Sequence, residues 1–127
     1  MLLSDLVRTS KQVTETQSRL EKIAHLSACL RRLGPEEIEM GVNYLSGRLP
    51  QGNIGVGPAL LDAVSPSGAA GEPSLALAQV DEAFAEIART TGSGSGAARR
   101  RLLGKLFSQA TRDEQGFLAR LVVGGLS

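Results

Sequence analysis

The stretch Thr91–Val123, TGSGSGAARRRLLGKLFSQATRDEQGFLARLVV, decides how this chain folds. Its opening glycines and serines cannot continue a helix. From about Ala97 to Ala110, Leu102, Leu103, Leu106, Phe107 and Ala110 recur at steps that gather them on one face of a helix. Thr111 with Glu114 three residues later carries the signature of a capping box, so a last helix opens there. It buries Phe117, Leu118, Leu121 and Val122, and Gly124-Gly125 ends it. Two amphipathic helices joined by a tight turn need further helices to cover their apolar faces.

Those are found upstream. Leu77 to Thr90 forms a third helix, with Val80, Phe84, Ile87 and Ala88 inward. Between Ser18 and Leu33, Leu20, Ile23, Leu26, Leu30 and Leu33 make the buried stripe of a first helix, closed by Gly34. Pro35 starts a second, to Ser46, with Ile38, Val42 and Leu45 inward and Glu36, Glu37 and Glu39 near its positive end. Leu49 to Gly57, LPQGNIGVG, reads as an ordered loop, followed by a short helical turn over Pro58–Val64. Ser65 to Pro73, SPSGAAGEP, is a flexible linker by composition. Nothing alternates with period two over strand length, so the class is all-α, a single compact multi-helix domain over residues 1–127. The Gly-Gly turn so near Ser127 has the look of a fragment boundary.

Composition removes several function classes. At 127 residues the chain buries roughly two-thirds of its unfolded surface without disulfides or metals. One cysteine, Cys29, and one histidine, His25, are too few for a thiolate metal site, a zinc site or a Ser-His-Asp triad. The pair is spaced i, i+4 on the polar side of the first helix, where a structural role is the better assignment. The lone cysteine fits a reducing, intracellular setting, and neither a secretory signal nor a run of ~20 apolar residues is visible, so a cytoplasmic protein without a membrane partner is expected. Fourteen Lys plus Arg against thirteen Asp plus Glu give +1, which taken as a sum speaks against nucleic acid.

The sum hides segregation. Arg89, Arg99, Arg100, Arg101, Lys105 and Arg112 lie in one stretch without an acid, a local +6, and Arg8–Arg32 carries six bases against two acids, a local +4. Arginines at a helix start oppose its macrodipole, a conflict that an anion would relieve. Gly92-Ser93-Gly94-Ser95-Gly96 offers unobstructed N–H groups and two hydroxyls to such an anion, with Arg99, Arg100, Arg101 and Lys105 beside it. A flexible linker before a solvated basic face fits the same residues. No Walker A pattern is present. Arg19 lies in line with the apolar stripe of its helix and Lys22 flanks it; both either snorkel or pair with a nearby carboxylate, or else contact nucleic acid, where Ser10 and Lys11 upstream could also donate to a phosphate. The loop around Gly52, Asn53, Gly55 and Gly57 lacks the βαβ setting of a dinucleotide site and suits close approach of backbone to a partner. The three phenylalanines occupy core positions, so contact with a duplex backbone fits better than base stacking.

Thr16–Lys22 (TQSRLEK), Tyr44–Gln51 (YLSGRLPQ) running into Ile54–Gly57 (IGVG), Phe107–Thr111 (FSQAT), and Phe117–Leu121 (FLARL) with a closing glycine resemble the N-terminal DNA-binding domain of ATP-dependent DNA ligases, particularly the bacterial kind. The resemblance covers nearly the whole chain. It implies an all-helical domain that grips the minor groove of duplex DNA around a nick and serves repair, replication and recombination. Carried over by position, Arg19, Lys22 and Gly92–Arg101 would touch phosphates, and Gly52–Gly57 would lie near the backbone. The family pattern continues into further helices, so the chain resembles a truncated domain. None of the three lysines opens a K-x-D-G adenylation motif. No cofactor is therefore expected in this chain, whereas ATP and Mg would belong to the catalytic C-terminal domains, its partners in the same protein. The expectation is a non-catalytic, sequence-independent module for nicked duplex DNA, associated with the nucleoid. A helical protein-interaction module whose basic face meets an acidic partner is the alternative.

Overall fold

The computed structural model describes residues 1–64 and 68–124. Seven α-helices are present among them: α1 (Leu3–Glu15), α2 (Arg19–Arg32), α3 (Ile38–Leu45), α4 (Pro58–Val64), α5 (Leu77–Arg89), α6 (Ser95–Ser108) and α7 (Arg112–Gly124). A single 3₁₀ turn, Pro35–Glu37, leads into α3. The described residues contain no strand, only an isolated bridge between Leu2 and Ala76, and the all-α class holds.

The C-terminal half follows its pattern. Leu77, Val80, Phe84 and Ile87 of α5 are buried, as are Leu103, Leu106 and Phe107 of α6 with Ala110 beyond it. The capping box at α7 is formed: the Thr111 N–H donates to Glu114 Oε1 at 2.8 Å and the Glu114 N–H to Thr111 Oγ1 at 3.2 Å. Buried Gln115 then donates to the Phe107 carbonyl at 2.8 Å, pinning the end of α6 to α7. Phe117, Leu118, Leu121 and Val122 close this part of the core. The Pro58–Val64 turn is the helix α4, inward through Leu61 and Val64. Of the linker proposed over 65–73, residues 65–67 lie outside the described residues; further on, the Ala70 N–H donates to the Ala110 carbonyl at 2.9 Å. Gly125 of the closing turn also lies outside them.

The N-terminal half departs from expectation in two ways. First, Leu3–Glu15 is a helix, although its pattern was too dilute to single out: only Leu3, Leu6 and Thr9 are buried, and polar residues fill most other positions. Asp5 marks its start by accepting from the Leu2 N–H at 3.2 Å. α1 packs against α2, α3 and α7, and full burial of Leu3 and Leu6 is worth about 1.5–3 kcal/mol each. Two main-chain bonds, Leu3 N–H to Leu75 O at 2.8 Å and Leu77 N–H to Met1 O at 3.1 Å, clasp its start to the segment before α5.

Second, the faces of α2 and α3 are turned. Leu20 is 79% and Ile23 50% exposed, while Cys29, assigned to the polar side, is buried. On α3, Ile38 and Val42 are 47% and 45% exposed, and Gly41 and Tyr44 face inward. The reason is steric. Gly41 lets α3 close on Leu33, whose Cδ1 would lie 2.5 Å from a Cβ at that position. That contact rotates α3 by about one residue, or ~100°, from its most apolar face.

The Met1 ammonium donates to Glu37 Oε2 at 2.8 Å, and Glu37 Oε1 accepts from the Gly34 N–H at 2.9 Å. The ammonium bond first, then the Gly34 bond, hold the Glu37 carboxyl below its usual range despite desolvation. Because the folded-state value is depressed, the stabilisation is present above the ordinary value of 4.5 and lost as pH falls below it.

Two measurements check this packing. Chemical denaturation should show Leu6→Ala destabilised by about 2–5 kcal/mol and Leu20→Ala by less than about 0.5 kcal/mol. Acetylating the Met1 amino group should lower the melting temperature at pH 7, and the difference from the unmodified chain should shrink as the pH falls below 4.5.

Candidate nucleic-acid interface

The candidate interface is built around the start of α6. α2 is capped by Ser18 Oγ and α7 by Thr111, but α6 begins on Gly94, which has no side chain to offer and stands at φ +77°. The turn before it closes through the Ser95 N–H to the Gly92 carbonyl at 3.2 Å, with Gly92 at φ +88°. Such conformations are open to glycine and costly for other residues. No acidic residue occupies the first turn of α6, and among the described residues the Ser93 and Ser95 hydroxyls have no hydrogen-bond partner. The result is an exposed, uncapped helix start with N–H and O–H donors and arginines following it.

The Gly52–Gly57 loop is held by apolar anchors rather than by secondary structure. Leu49, Ile54 and Val56 are buried, Gln51 Nε2 donates to Asp81 Oδ1 of α5 at 2.8 Å, and Asn53 Oδ1 accepts from the Gly55 N–H at 2.8 Å. Below the same region, burial first and the Asp81 charge second push the Tyr44 phenol above its usual range, so it stays neutral. Gly52 and Gly55 both have positive φ, +71° and +77°. Asn53 is thus occupied in shaping the turn, and Gly57 accepts from the Leu61 N–H at the start of α4.

Arg99 brings these two glycine segments together. Its Nη2 donates to the Thr90 carbonyl at 2.9 Å, and its Nε and Cζ lie 2.9 and 3.0 Å from where a Cβ on Gly55 would be. Thr90 is the C-cap of α5, so the guanidinium sits at the negative end of that helix. The dipole conflict inferred for α6 is therefore relieved within the protein for Arg99. Arg100, Arg101 and Lys105 are exposed and join no ion pair among the described residues. Lys105 also lines the α5–α6 groove, whose other wall carries Glu82 and Glu86.

Other candidates lie elsewhere. Ser10 and Lys11 face α7 across a groove of about 530 Å³ shared with Arg112 and Arg120, and Lys11 Nζ is 3.8 Å from Asp113 Oδ2. Arg112 entered the sequence reading only through the local charge and Arg120 only within the Phe117–Leu121 motif; neither stood among the candidate contact residues. Arg19, at the exposed start of α2, and half-buried Lys22 belong to a helix packed on α1 and α3, whereas α6 packs on α4 and α5. Thr90 was missed as well, since it acts through its carbonyl and leaves no trace in side-chain chemistry. The described residues hold no group of three or more His, Cys, Asp or Glu side chains able to bind a metal, and no helix long and apolar enough to cross a membrane. What this arrangement offers chemically is free N–H and O–H donors beside exposed cations.

Comparison with known proteins gives a consistent picture. A sequence profile described as DNA ligase N terminus matches residues 62–127, just over half of the chain. A probable DNA ligase of Sorangium cellulosum (strain So ce56) is 46% identical over 127 residues, covering 99% of this chain and 24% of that protein. Probable DNA ligases of Anaeromyxobacter sp. (strain K) and Saccharopolyspora erythraea are each 48% identical, over 99% of this chain and 25% and 24% of their own lengths. The chain spans about a quarter of the length of these relatives.

Proposed function

Since the chain belongs to the DNA ligase N-terminus family, we propose that it is a non-catalytic module that binds duplex DNA at nicks through the phosphate backbone, without sequence preference. The observation that carries this reading is the meeting of two glycine-rich segments at the uncapped, arginine-bearing start of α6. Glycines let a partner's backbone approach, helix-start amides donate to phosphate oxygens, and exposed Arg100 and Arg101 add charge that releases counterions from DNA. Such contacts position a protein on a duplex and carry no base information. Sealing the nick falls to the remainder of the ligase, where ATP and Mg would act, and repair, replication and recombination are the processes served.

Ser93, Gly94, Ser95 and Gly96 would donate to phosphates, the Gly52–Gly57 loop would lie along the strand, and Ser10, Lys11, Arg19 and Lys22 would reach phosphates further along the duplex. Replacing Arg100 and Arg101 together by Ala should weaken binding to nicked duplexes of unrelated sequence alike and flatten the slope of log affinity against log salt by up to about 2. Gel mobility and fluorescence titration over a salt series read both. A chain that is folded by circular dichroism yet binds no nicked duplex at low salt would overturn the proposal and favour an acidic protein partner for the basic face.

A further inference from the structure

Resting on that reading, we propose that Arg99 is a positioning residue: it latches the Gly52–Gly57 loop to the end of α5 and the start of α6, so that two segments distant in sequence present one rigid donor surface. Three observations carry this. The guanidinium is held by the protein, with Nη2 on the Thr90 carbonyl, and its Nε is buried. It lies directly on Gly55, where a Cβ would meet Nε at 2.9 Å and Nη2 at 3.2 Å. And Gly55 is itself fixed by Asn53 and by a positive φ, so the surface on which Arg99 rests is preformed. A planar, delocalised fork can cover a backbone face and donate at its edge at once, which a lysine ammonium cannot. Arg99 therefore differs in role from Arg100 and Arg101, its exposed neighbours.

The test has two arms. In the first, without DNA, amide hydrogen exchange is followed at Thr90, Ser95 and Ala98, whose N–H groups are hydrogen-bonded at the end of α5, in the turn and at the start of α6. Gly55→Ala should speed exchange there because its new Cβ displaces the guanidinium, and Arg99→Ala should do so directly. Gly52→Ala has the same left-handed strain, with nothing within 4 Å of its Cβ, and should disturb only its own loop. In the second arm, Arg99→Ala and Arg99→Lys should both weaken binding to nicked duplex several-fold while leaving the salt slope unchanged. Recovery of affinity by Arg99→Lys, together with a slope flattened by about 1 in Arg99→Ala, would make Arg99 a phosphate ligand and overturn the latch. So would wild-type exchange at Thr90, Ser95 and Ala98 in Gly55→Ala and Arg99→Ala. If no variant nor the parent binds DNA, the exchange arm still decides the latch, and only the DNA reading falls.

Discussion

Leu3 and Leu6, wholly withdrawn from water, set the frame on which the rest of this fold is arranged. The helix that carries them is the shared neighbour of α2, α3 and α7, and its start is clasped to the segment leading into α5. It thereby joins the first and last parts of the chain in one core, to which the packing of α3 on α5 and of α4 on α6 also contributes. The clasp is made of main-chain hydrogen bonds, and the Met1–Glu37 ion pair ties the same end to the turn before α3.

This core places the termini of helices where chemistry can use them. The end of α5 and the start of α6 are joined by a short glycine-serine turn, and the loop from Leu49 to Gly57 is brought over them by its own buried anchors. A carbonyl end and an amide end thus meet beside each other. Arg99 answers the carbonyl end, which leaves the amide end of α6 and the exposed Arg100 and Arg101 free of competition within the protein. A net charge of +1 is compatible with such a surface because no acid lies in the chain between Thr90 and Arg112.

Legibility in the sequence followed the strength of the local pattern. α5, α6 and α7 were read nearly to their ends because each has four or more apolar residues at helical spacing, and at α7 a capping pair as well. α1 was missed because its inward face is only Leu3, Leu6 and Thr9. α2 and α3 were recognised as helices but turned the wrong way, since a stripe of leucines identifies a helix without naming its neighbour. The glycine-rich segments and the arginine cluster were likewise visible, but the division of labour within Arg99, Arg100 and Arg101 was not.

The sequence by itself determined the helical class, the helix ends marked by glycine, proline and capping residues, and the segregation of charge, because all of these depend on residues within a few positions of one another. Only the tertiary structure decided which faces of α2 and α3 are covered, that Ser10 and Lys11 look toward α7, and that Gly55 lies under Arg99. Those outcomes turn on distances between segments that are not neighbours in sequence, and on the missing Cβ atoms at Gly41 and Gly55 that let Leu33 and Arg99 close on them.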